Sequence, residues 1–303
     1  MRVLVTGAAG GVGGYVNKLL APDIEIVAFD MVEGRPCPGV TWIKGDILDV
    51  EGMARAAKGC DAIVHLAAIP IYVPDRNLDI GRINILGTQT VFEAAVRAGV
   101  KRVVYASSIC ADSFIFWSKR RTPKYLPVDE DYFDLPDDMY GLSKTVNELL
   151  AQAYTARYGL EMTGLRLATI WLPNHAATDE WLVDLFKEEM DNNLEFADLR
   201  WQYVDVRDVA KSIELSVTHP DALGIVNVGA ADSPGGDWRI WVSDLYSDVP
   251  VLKDPGKLLA DPSRPLWSID KLARLAGYQP KHDWREYPVV VDGLKSYLAR
   301  RGK

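Results

Sequence analysis

The segment Val3-Leu-Val-Thr-Gly-Ala-Ala-Gly-Gly-Val-Gly13 determines how the rest of the chain is interpreted. Its first three residues are an aliphatic run typical of a buried strand, and a helical pattern follows the last glycine and ends near Pro22. Between them lie Gly7, Gly10 and Gly13. Such glycines permit a tight turn, a close approach of the backbone to a pyrophosphate, and close helix–strand packing. A plain glycine-rich turn is the alternative, but the strand–turn–helix context favours dinucleotide binding at the helix N-terminus.

An acidic residue ends the second strand pattern. Ile24 to Phe29 is again aliphatic, and Asp30 follows it about 20 residues beyond the glycine turn. A carboxylate there can accept hydrogen bonds from the hydroxyl groups of an adenosine ribose. Met31 and Val32 come next, so these two positions offer no arginine to a 2′-phosphate. The segment therefore predicts NAD rather than NADP as the cofactor.

Composition excludes several classes of function. The chain has 303 residues and a net charge of −8, and its one strongly basic run is Lys119 to Arg121. The negative charge and the lack of other basic runs argue against a nucleic-acid partner. The sequence contains no apolar run long enough for a membrane span, and a core strand at the N-terminus argues against a cleaved signal. Three scattered cysteines predict reduced thiols and a cytoplasmic location. Four isolated histidines predict packing or surface roles and no metal site.

Strand and helix patterns alternate up to residue 167. Predicted strands are Arg2–Val5, Ile24–Phe29, Thr41–Lys44, Ala62–Leu66, Arg102–Ala106 and Met162–Leu167, and predicted helices are Gly11–Leu20, Val50–Ala57, Leu86–Ala98 and Met139–Tyr158. This alternation predicts an α/β fold of the Rossmann type, a doubly wound parallel sheet with ligands bound beyond the carboxyl ends of its strands. We expect residues 1–167 to form the NAD-binding domain and residues 168–303 mainly a small C-terminal substrate-binding lobe.

The pattern is looser after residue 167. Further candidates are helices at Asp179–Met190, Asp208–Thr218 and Trp284–Leu298 and strands at Trp201–Val206 and Gly224–Val228. We expect the segments from about 200 to 228 to return to the first domain. Residues 231–266 are rich in proline, glycine and aspartate and give no clear pattern.

A tyrosine and a lysine share one face of a predicted long helix. Tyr140 and Lys144 are four residues apart, so their side chains are neighbours. A nearby ammonium, together with an oxidised nicotinamide, is expected to lower the pKa of the phenol and let it exchange a proton with an alcohol. Ser107 and Ser108 end a strand, where one of them can hydrogen-bond the reacting oxygen. The alternatives are a solvated helix face and a turn cap, and the glycine loop favours the catalytic interpretation.

The chain resembles the extended short-chain dehydrogenase/reductase superfamily, in the NAD-dependent epimerase/dehydratase family. The resemblance rests on Thr6 to Gly13, Gly45-Asp-Ile47, His65-Leu-Ala-Ala68, Asn84 with Gly87-Thr88, Tyr105-Ala-Ser-Ser108 and Tyr140-Gly-Leu-Ser-Lys144. It implies that Ser108 is the catalytic serine, Tyr140 the acid/base, Lys144 the holder of the nicotinamide ribose and Asn84 the support of that lysine. The implied cofactor contacts are Gly7, Gly10, Gly11, Val12, Gly13, Asp30, Asp46, Ile47, Leu66, Ala67, Ala68, Asn84, Ala106, Tyr140 and Lys144.

Departures from the family pattern narrow the expected substrate. Ile109 and Cys110 follow Ser108 where the dehydratases of the family carry an Asp-Glu pair, so dehydration is not expected. Thr169 replaces an asparagine that usually faces a nucleotide sugar, and the segment from 173 to 200 is short for a nucleotide-binding lobe. The segment from Ser108 to Phe114 and this short lobe resemble those of uronate dehydrogenases. Arg200 and Arg264 correspond to residues that often hold a diphosphate, could instead hold a carboxylate, and could also be surface ion pairs.

Three functions remain open from the sequence. The leading hypothesis is an NAD-dependent oxidoreductase that acts on a small sugar, sugar acid or polyol, with substrate contacts from Ser107, Ser108, Thr169, Arg200 and Arg264. The second is a UDP-sugar 4-epimerase, and the third is a non-catalytic NAD(P) sensor, which is disfavoured because Tyr140 and Lys144 are both present. The resemblance also implies a homodimer formed through the helices Leu86–Ala98 and Met139–Tyr158.

Overall fold

A twisted parallel sheet forms the centre of the molecule. The computed structural model describes residues 1–112, 116, 118, 121–175, 178–180, 182–183, 202–246, 248 and 250–300. Its principal strands are β1 (Arg2–Thr6), β2 (Glu25–Asp30), β3 (Val40–Lys44), β4 (Ala62–His65), β5 (Arg102–Ser108), β7 (Glu161–Leu167) and β10 (Gly224–Val228). Within this part of the chain they pair in the order β10-β7-β5-β4-β1-β2-β3, all in parallel. The predicted Rossmann-type sheet is thus confirmed.

Helices cover both faces of this sheet. They are α1 (Gly11–Leu20), α2 (Val50–Ala57), α3 (Asn77–Ile80), a π-helix at Gly81–Leu86, α4 (Gly87–Ala98), α5 (Met139–Tyr158) and α6 (Val206–Thr218). On one face, Val16 of α1 and Ile213 of α6 belong to the same buried cluster as the strand residues Val3 and Val5. On the other face, α2, α4 and α5 contribute Met53, Phe92 and Ala151 to a second buried cluster. The inner strands β1, β4, β5 and β7 are therefore buried on both sides, which explains their mainly apolar sequences, whereas the edge strand β3 is partly exposed.

The order of the strands creates a crevice beside β1. Its two neighbours are β2 and β4, which are reached by connections on opposite sides of the strand. Thr6, the last residue of β1, lies opposite Phe29 of β2 and His65 of β4. Because the connections diverge here, the loops at the carboxyl ends of the strands leave an opening in which ligands bind.

The later part of the chain forms a second region with its own core. Its elements are β6 (Tyr125–Leu126), β8 (Thr169–Trp171), β9 (Tyr203–Asp205), α7 (Trp238–Leu245), β11 (Val251–Leu252), α8 (Pro255–Ala260), α9 (Asp270–Ala276), a 3-10 turn at Trp284–Glu286 and α10 (Pro288–Arg300). Strand β8 pairs with β9 and β6 with β11, each pair in parallel. Trp171 and Tyr203 stack with ring centroids 4.2 Å apart inside a cluster of buried aromatic residues. Trp267 belongs to the same cluster.

Strand β10 joins the central sheet beside β7, and the expected return of the segments from about 200 to 228 to the first domain stays a prediction. The unpatterned stretch 231–266 contains α7, β11 and α8. Most of the predicted helix Asp179–Met190 lies outside the described residues. The boundary at residue 167 stays a prediction.

None of the described helices is both long and apolar enough to cross a bilayer. Among the same residues, His, Cys, Asp and Glu side chains form no group of three that could hold a metal ion.

Candidate active site

The glycine loop borders a cavity of about 510 Å³ at the crevice beside β1. Gly7 has φ +68°, and a Cβ there would lie 2.7 Å from the backbone nitrogen of Ala67. A Cβ on Gly13 would lie 2.2 Å from the carbonyl oxygen of Gly7, so both positions require glycine. The bare backbone leaves the start of α1 open to the cavity. This cradle fits a dinucleotide, because a pyrophosphate can approach N–H groups there without meeting side chains.

Asp30 lies at the rim of this cavity, at the end of β2. Its Oδ2 accepts a hydrogen bond from the backbone nitrogen of Ala9 at 3.0 Å, which ties the carboxylate to the glycine loop. The carboxylate is only partly buried, so its remaining lone pairs are available to ribose hydroxyl groups. Asp46 begins the opposite wall, where its Oδ1 accepts from the backbone nitrogen of Leu48 at 2.9 Å.

Most predicted cofactor contacts line this one cavity. Those that do are Gly7, Gly10, Gly11, Val12, Gly13, Asp30, Asp46, Ile47, Leu66, Ala67 and Ala68. The cavity is also lined by residues that the sequence analysis did not single out as contacts, namely Phe29, Met31, Gly45, Leu48, Ile69, Pro70, Arg82 and Ile83. Several of these directly follow a predicted contact in the chain, so the loop after each strand was the available signal.

Ser108, Tyr140 and Lys144 are brought together where β5 ends and α5 begins. All three side chains are buried, and the Ser108 side chain is close enough to Tyr140 to favour the ionised form of its phenol. The Lys144 Nζ lies 5.5 Å from the centroid of the Tyr140 ring and donates to the carbonyl oxygen of Ala106 at 2.8 Å. The predicted serine, tyrosine and lysine therefore form one cluster, with Ala106 as the anchor of the lysine.

The electrostatics of this cluster differ from the expectation for the phenol. Burial raises the pKa of Tyr140 well above its usual value, and the nearby Ser108 side chain opposes this shift only in part. Burial also lowers the pKa of Lys144 to about 8, although the charges of Cys110 and Glu148 oppose that shift. In the protein without its cofactor the phenol pKa is thus raised, because desolvation dominates. The expected lowering also required an oxidised nicotinamide beside Lys144, so it stays a prediction for the cofactor-bound protein.

Asn84 occupies the π-helix rather than the cluster itself. Its Oδ1 accepts from the backbone nitrogen of Ile69 at 2.8 Å, and its Nδ2 donates to the hydroxyl of Ser143 at 3.2 Å. Asn84 therefore contacts Ser143, the neighbour of Lys144 in the helix, and its expected support of Lys144 stays a prediction. The backbone carbonyl oxygen of Asn84 accepts hydrogen bonds from the hydroxyl of Thr88 at 2.6 Å and from the side-chain amide of Asn147 at 3.0 Å. Asn84 therefore ties the cavity wall to α5.

The predicted substrate contacts are dispersed. The Ser107 hydroxyl donates to Glu148 at 2.6 Å and is buried in an ionic network, so it does not accompany Ser108 at the cluster. The Oγ1 of Thr169 is buried without a hydrogen-bond partner among the described residues. Arg264 lies 3.5 Å from Asp270 and lines a separate, larger depression of about 680 Å³. Arg200 lies outside the described residues.

Sequence reasoning missed the partners of Ser107. Glu148 lies four residues after Lys144 on α5, and its carboxylate is paired with the guanidinium of Arg166 on β7. Asp112, four residues after Ser108, pairs with the same guanidinium. The helical spacing from Lys144 could have indicated Glu148, but no local pattern connects it to Arg166.

Comparison with known proteins gives a consistent set of relatives. The model of the NAD dependent epimerase/dehydratase family matches residues 3–229. Over 177 residues the chain is 34% identical to L-arabinose 1-dehydrogenase (NAD(P)(+)) of Haloferax volcanii, which covers 56% of this chain and 67% of that protein. Over 171 residues it is 34% identical to uronate dehydrogenase of Pseudomonas syringae pv. tomato, covering 55% of this chain. That match spans only 59% of the uronate dehydrogenase.

A likeness over the whole chain comes from solved structures. The structure of MoeE5 in complex with UDP-glucuronic acid and NAD matches with a TM-score of 0.69 and 23% identity. The match covers 100% of both chains. At this level of identity the likeness concerns the fold, including the region after residue 167.

Proposed function

Because the chain belongs to the NAD dependent epimerase/dehydratase family, we propose that it is an NAD-dependent oxidoreductase acting on a small sugar, sugar acid or polyol. The observation that carries this proposal is the buried cluster of Ser108, Tyr140 and Lys144 at the carboxyl edge of the sheet. A phenol, a hydroxyl and an amine that lie close together can take up and return the hydroxyl proton of an alcohol. The similarity to an arabinose dehydrogenase and a uronate dehydrogenase supports a free carbohydrate as the substrate.

Each side chain of the cluster has a distinct task in this proposal. Tyr140 takes the hydroxyl proton of the substrate at its phenol oxygen, and returns it in the reverse direction. Ser108 hydrogen-bonds the same substrate oxygen and aligns it with the phenol. Lys144, whose pKa is lowered to about 8 by burial, is anchored on Ala106 and stabilises phenolate by its charge when protonated. NAD, held by the glycine loop and Asp30, supplies the hydride-accepting chemistry when it is bound.

The chain's own residues also keep the proton within the site. Tyr140 is only 7% exposed, and its ring makes an edge contact with Phe116 at a centroid distance of 6.2 Å. Phe116 in turn lies 6.0 Å from the ring of Tyr72. This aromatic cover limits access of water to the phenol, which favours exchange of its proton with a bound alcohol.

A UDP-sugar 4-epimerase is the second candidate. Its support is the likeness in fold, over the whole chain, to a protein whose structure holds UDP-glucuronic acid and NAD. An epimerase retains reduced cofactor through the cycle, whereas a dehydrogenase releases it. The two candidates therefore differ in a measurable product. The non-catalytic sensor ranks below both, because the tyrosine, serine and lysine are assembled.

The test is a screen with excess NAD and separate panels of free aldoses, uronic acids, polyols and UDP-sugars. We expect a member of the free carbohydrate panels to yield about one NADH per molecule oxidised, followed at 340 nm, since each turnover is one hydride transfer. A Tyr140→Phe variant is the control for background oxidation.

Conversion of a UDP-sugar to its epimer, with no net NADH and binding at micromolar strength, about −8 kcal/mol, would contradict the proposal in favour of the epimerase. Cofactor binding without turnover of any panel member would instead favour the sensor.

A further inference from the structure

A buried ionic network lies directly behind the catalytic cluster. Arg166 of β7 donates through Nε and Nη2 to the two oxygens of Glu148 at 2.9 and 2.8 Å. Its Nη1 donates to Asp112 at 2.6 Å and to the carbonyl oxygen of Tyr132 at 3.5 Å. The side chains of Arg166, Glu148 and Asp112 are 6%, 7% and 0% exposed. Since every nitrogen of the guanidinium is engaged inside the protein, Arg166 is unsuited to bind a substrate carboxylate.

The network joins the segments that carry the catalytic side chains. Glu148 lies one helical turn after Lys144 on α5, and it also accepts from Ser107, the neighbour of Ser108. Asp112 ends the turn that follows Ser108. Its second oxygen accepts from the indole nitrogen of Trp267 at 3.3 Å, so the second core is tied to the same point.

If stability were its only role, the network would be a costly arrangement. Two carboxylates share one guanidinium in a site with almost no solvent, and replacing such groups by apolar residues is often neutral or stabilising. Burial raises the pKa of the Asp112 carboxyl in spite of Arg166, a direction that reflects this cost. A planar fork that fixes two carboxylates at defined angles offers a geometric benefit instead.

We propose that Arg166 is a positioning residue, which holds the Ser108 strand and the Tyr140–Lys144 helix in register through Glu148 and Asp112. Misplacement of catalytic groups by about 1 Å can cost on the order of a hundredfold in rate. The role goes beyond the proposed function, and only the turnover measurement below rests on that function.

The test compares Arg166→Lys with a matched control, Arg102→Lys. Arg102 is at the opposite end of β5, with a side chain 11% exposed, and pairs with Glu161 at 2.6 Å. It also donates to the carbonyl oxygens of Ser216 and His219. Both substitutions keep a positive charge and remove the planar fork, but only Arg166 contacts the catalytic segments.

The first measurement is amide hydrogen exchange of the full chain, which requires no substrate. We expect Arg166→Lys to speed exchange about fivefold or more within residues 107–112 and 140–148, while Arg102→Lys leaves both segments unchanged. Should Arg166→Lys lose its native circular dichroism spectrum, Asp112→Asn removes one charged arm at constant shape and is measured instead, with the same expected direction.

The second measurement is turnover of the carbohydrate found by the screen. We expect kcat of Arg166→Lys to fall about tenfold or more with KM within about twofold, because the groups that act on the bound substrate are displaced. Unchanged exchange in both segments, an unchanged kcat, or a loss confined to KM would each overturn the proposal. If wild type turns over no carbohydrate, the proposed function fails and hydrogen exchange alone decides the role of Arg166.

Discussion

The phenol of Tyr140 combines two properties, a position beside Ser108 and a pKa raised by burial. We expect Tyr140→Phe to reduce turnover about 10²- to 10⁴-fold, the usual share of general acid–base catalysis. Because the phenol must be deprotonated to accept a proton, wild-type oxidation should become faster as pH rises. The affinity of Tyr140→Phe for NADH, measured by fluorescence titration, should stay within about twofold of the wild-type affinity. Turnover close to that of wild type would remove Tyr140 from its assigned role.

Asp30 provides the test of cofactor choice. Its carboxylate is held by the nitrogen of Ala9 at the rim of the cavity, where a 2′-phosphate would add a second negative charge. We expect wild type to bind NAD at least about tenfold more tightly than NADP, about 1.4 kcal/mol. Asp30→Ala should bring the ratio of NAD affinity to NADP affinity closer to one. Equal affinities of wild type in calorimetric titrations would rule the preference out.

We expect His65 to make the stability of the fold sensitive to acid. Its ring bridges Thr6 at 2.7 Å and Thr88 at 2.9 Å, and burial followed by the charge of Lys144 lowers its pKa from 6.5 to about 3. Between these values the unfolded chain binds a proton that the folded chain does not. The free energy of unfolding should therefore fall as pH falls through this window, by at most about 1.4 kcal/mol per pH unit from this group.

His65→Gln is the corresponding variant, since an amide can donate and accept in the same place. Urea unfolding at pH 7 and pH 5 measures the change in stability. We expect the difference between the two pH values to be smaller in His65→Gln than in wild type. An identical difference in the two proteins would assign the acid sensitivity to other groups.

Among the elements, α5 depends on an aspartate at its start. Asp138 accepts from the backbone nitrogen of Gly141 at 2.8 Å, and burial raises its pKa to about 6. We expect Asp138→Ala to cost about 1 kcal/mol of stability in urea unfolding, as for other helix caps, and to lower turnover because Tyr140 lies two residues further on. Asp138→Asn retains a hydrogen-bond acceptor at this position and should preserve both the stability and the turnover.

Asp49, the cap of α2, is the matched control for Asp138. It accepts from the backbone nitrogen of Gly52 at 3.0 Å and lies on a helix without a catalytic residue. Asp49→Ala should lose comparable stability and keep full turnover per folded molecule. Equal effects of the two alanine variants on turnover would disconnect the cap from the site.

Elements with a strong local pattern were predictable. Strand β1, the glycine turn and α1 were found within one residue of their predicted ends, because their sequence carries both the apolar periodicity and the turn chemistry. The helical residues 77–86, which precede the predicted start at Leu86, were missed because the π-helix breaks the helical period. The network of Arg166 was also unpredictable, since Asp112 and Arg166 are 54 positions apart and no local pattern joins them.

At the scale of the whole molecule, α4 and α5 leave an apolar surface exposed. Leu86, Leu149 and Tyr158 are 50%, 58% and 45% exposed on or beside these helices. These side chains lie on or beside the two helices through which the sequence resemblance implies a homodimer. We expect a homodimer in light scattering, and Leu149→Arg should convert it to a monomer. Leu259→Arg, on the distant α8 with 52% exposure, should leave the dimer intact. A monomeric wild type would contradict the expectation.

The return of β10 to the central sheet has a consequence for biosynthesis. Until Gly224–Val228 has left the ribosome, β7 presents an open row of peptide groups along its whole length. Synthesis from Leu167 to Gly224 takes several seconds at ordinary elongation rates of about 5–20 residues per second. An unpaired edge attracts other strands during this interval. The nascent chain is therefore open to mispairing along this edge until β10 is added, whereas the folded protein covers the edge.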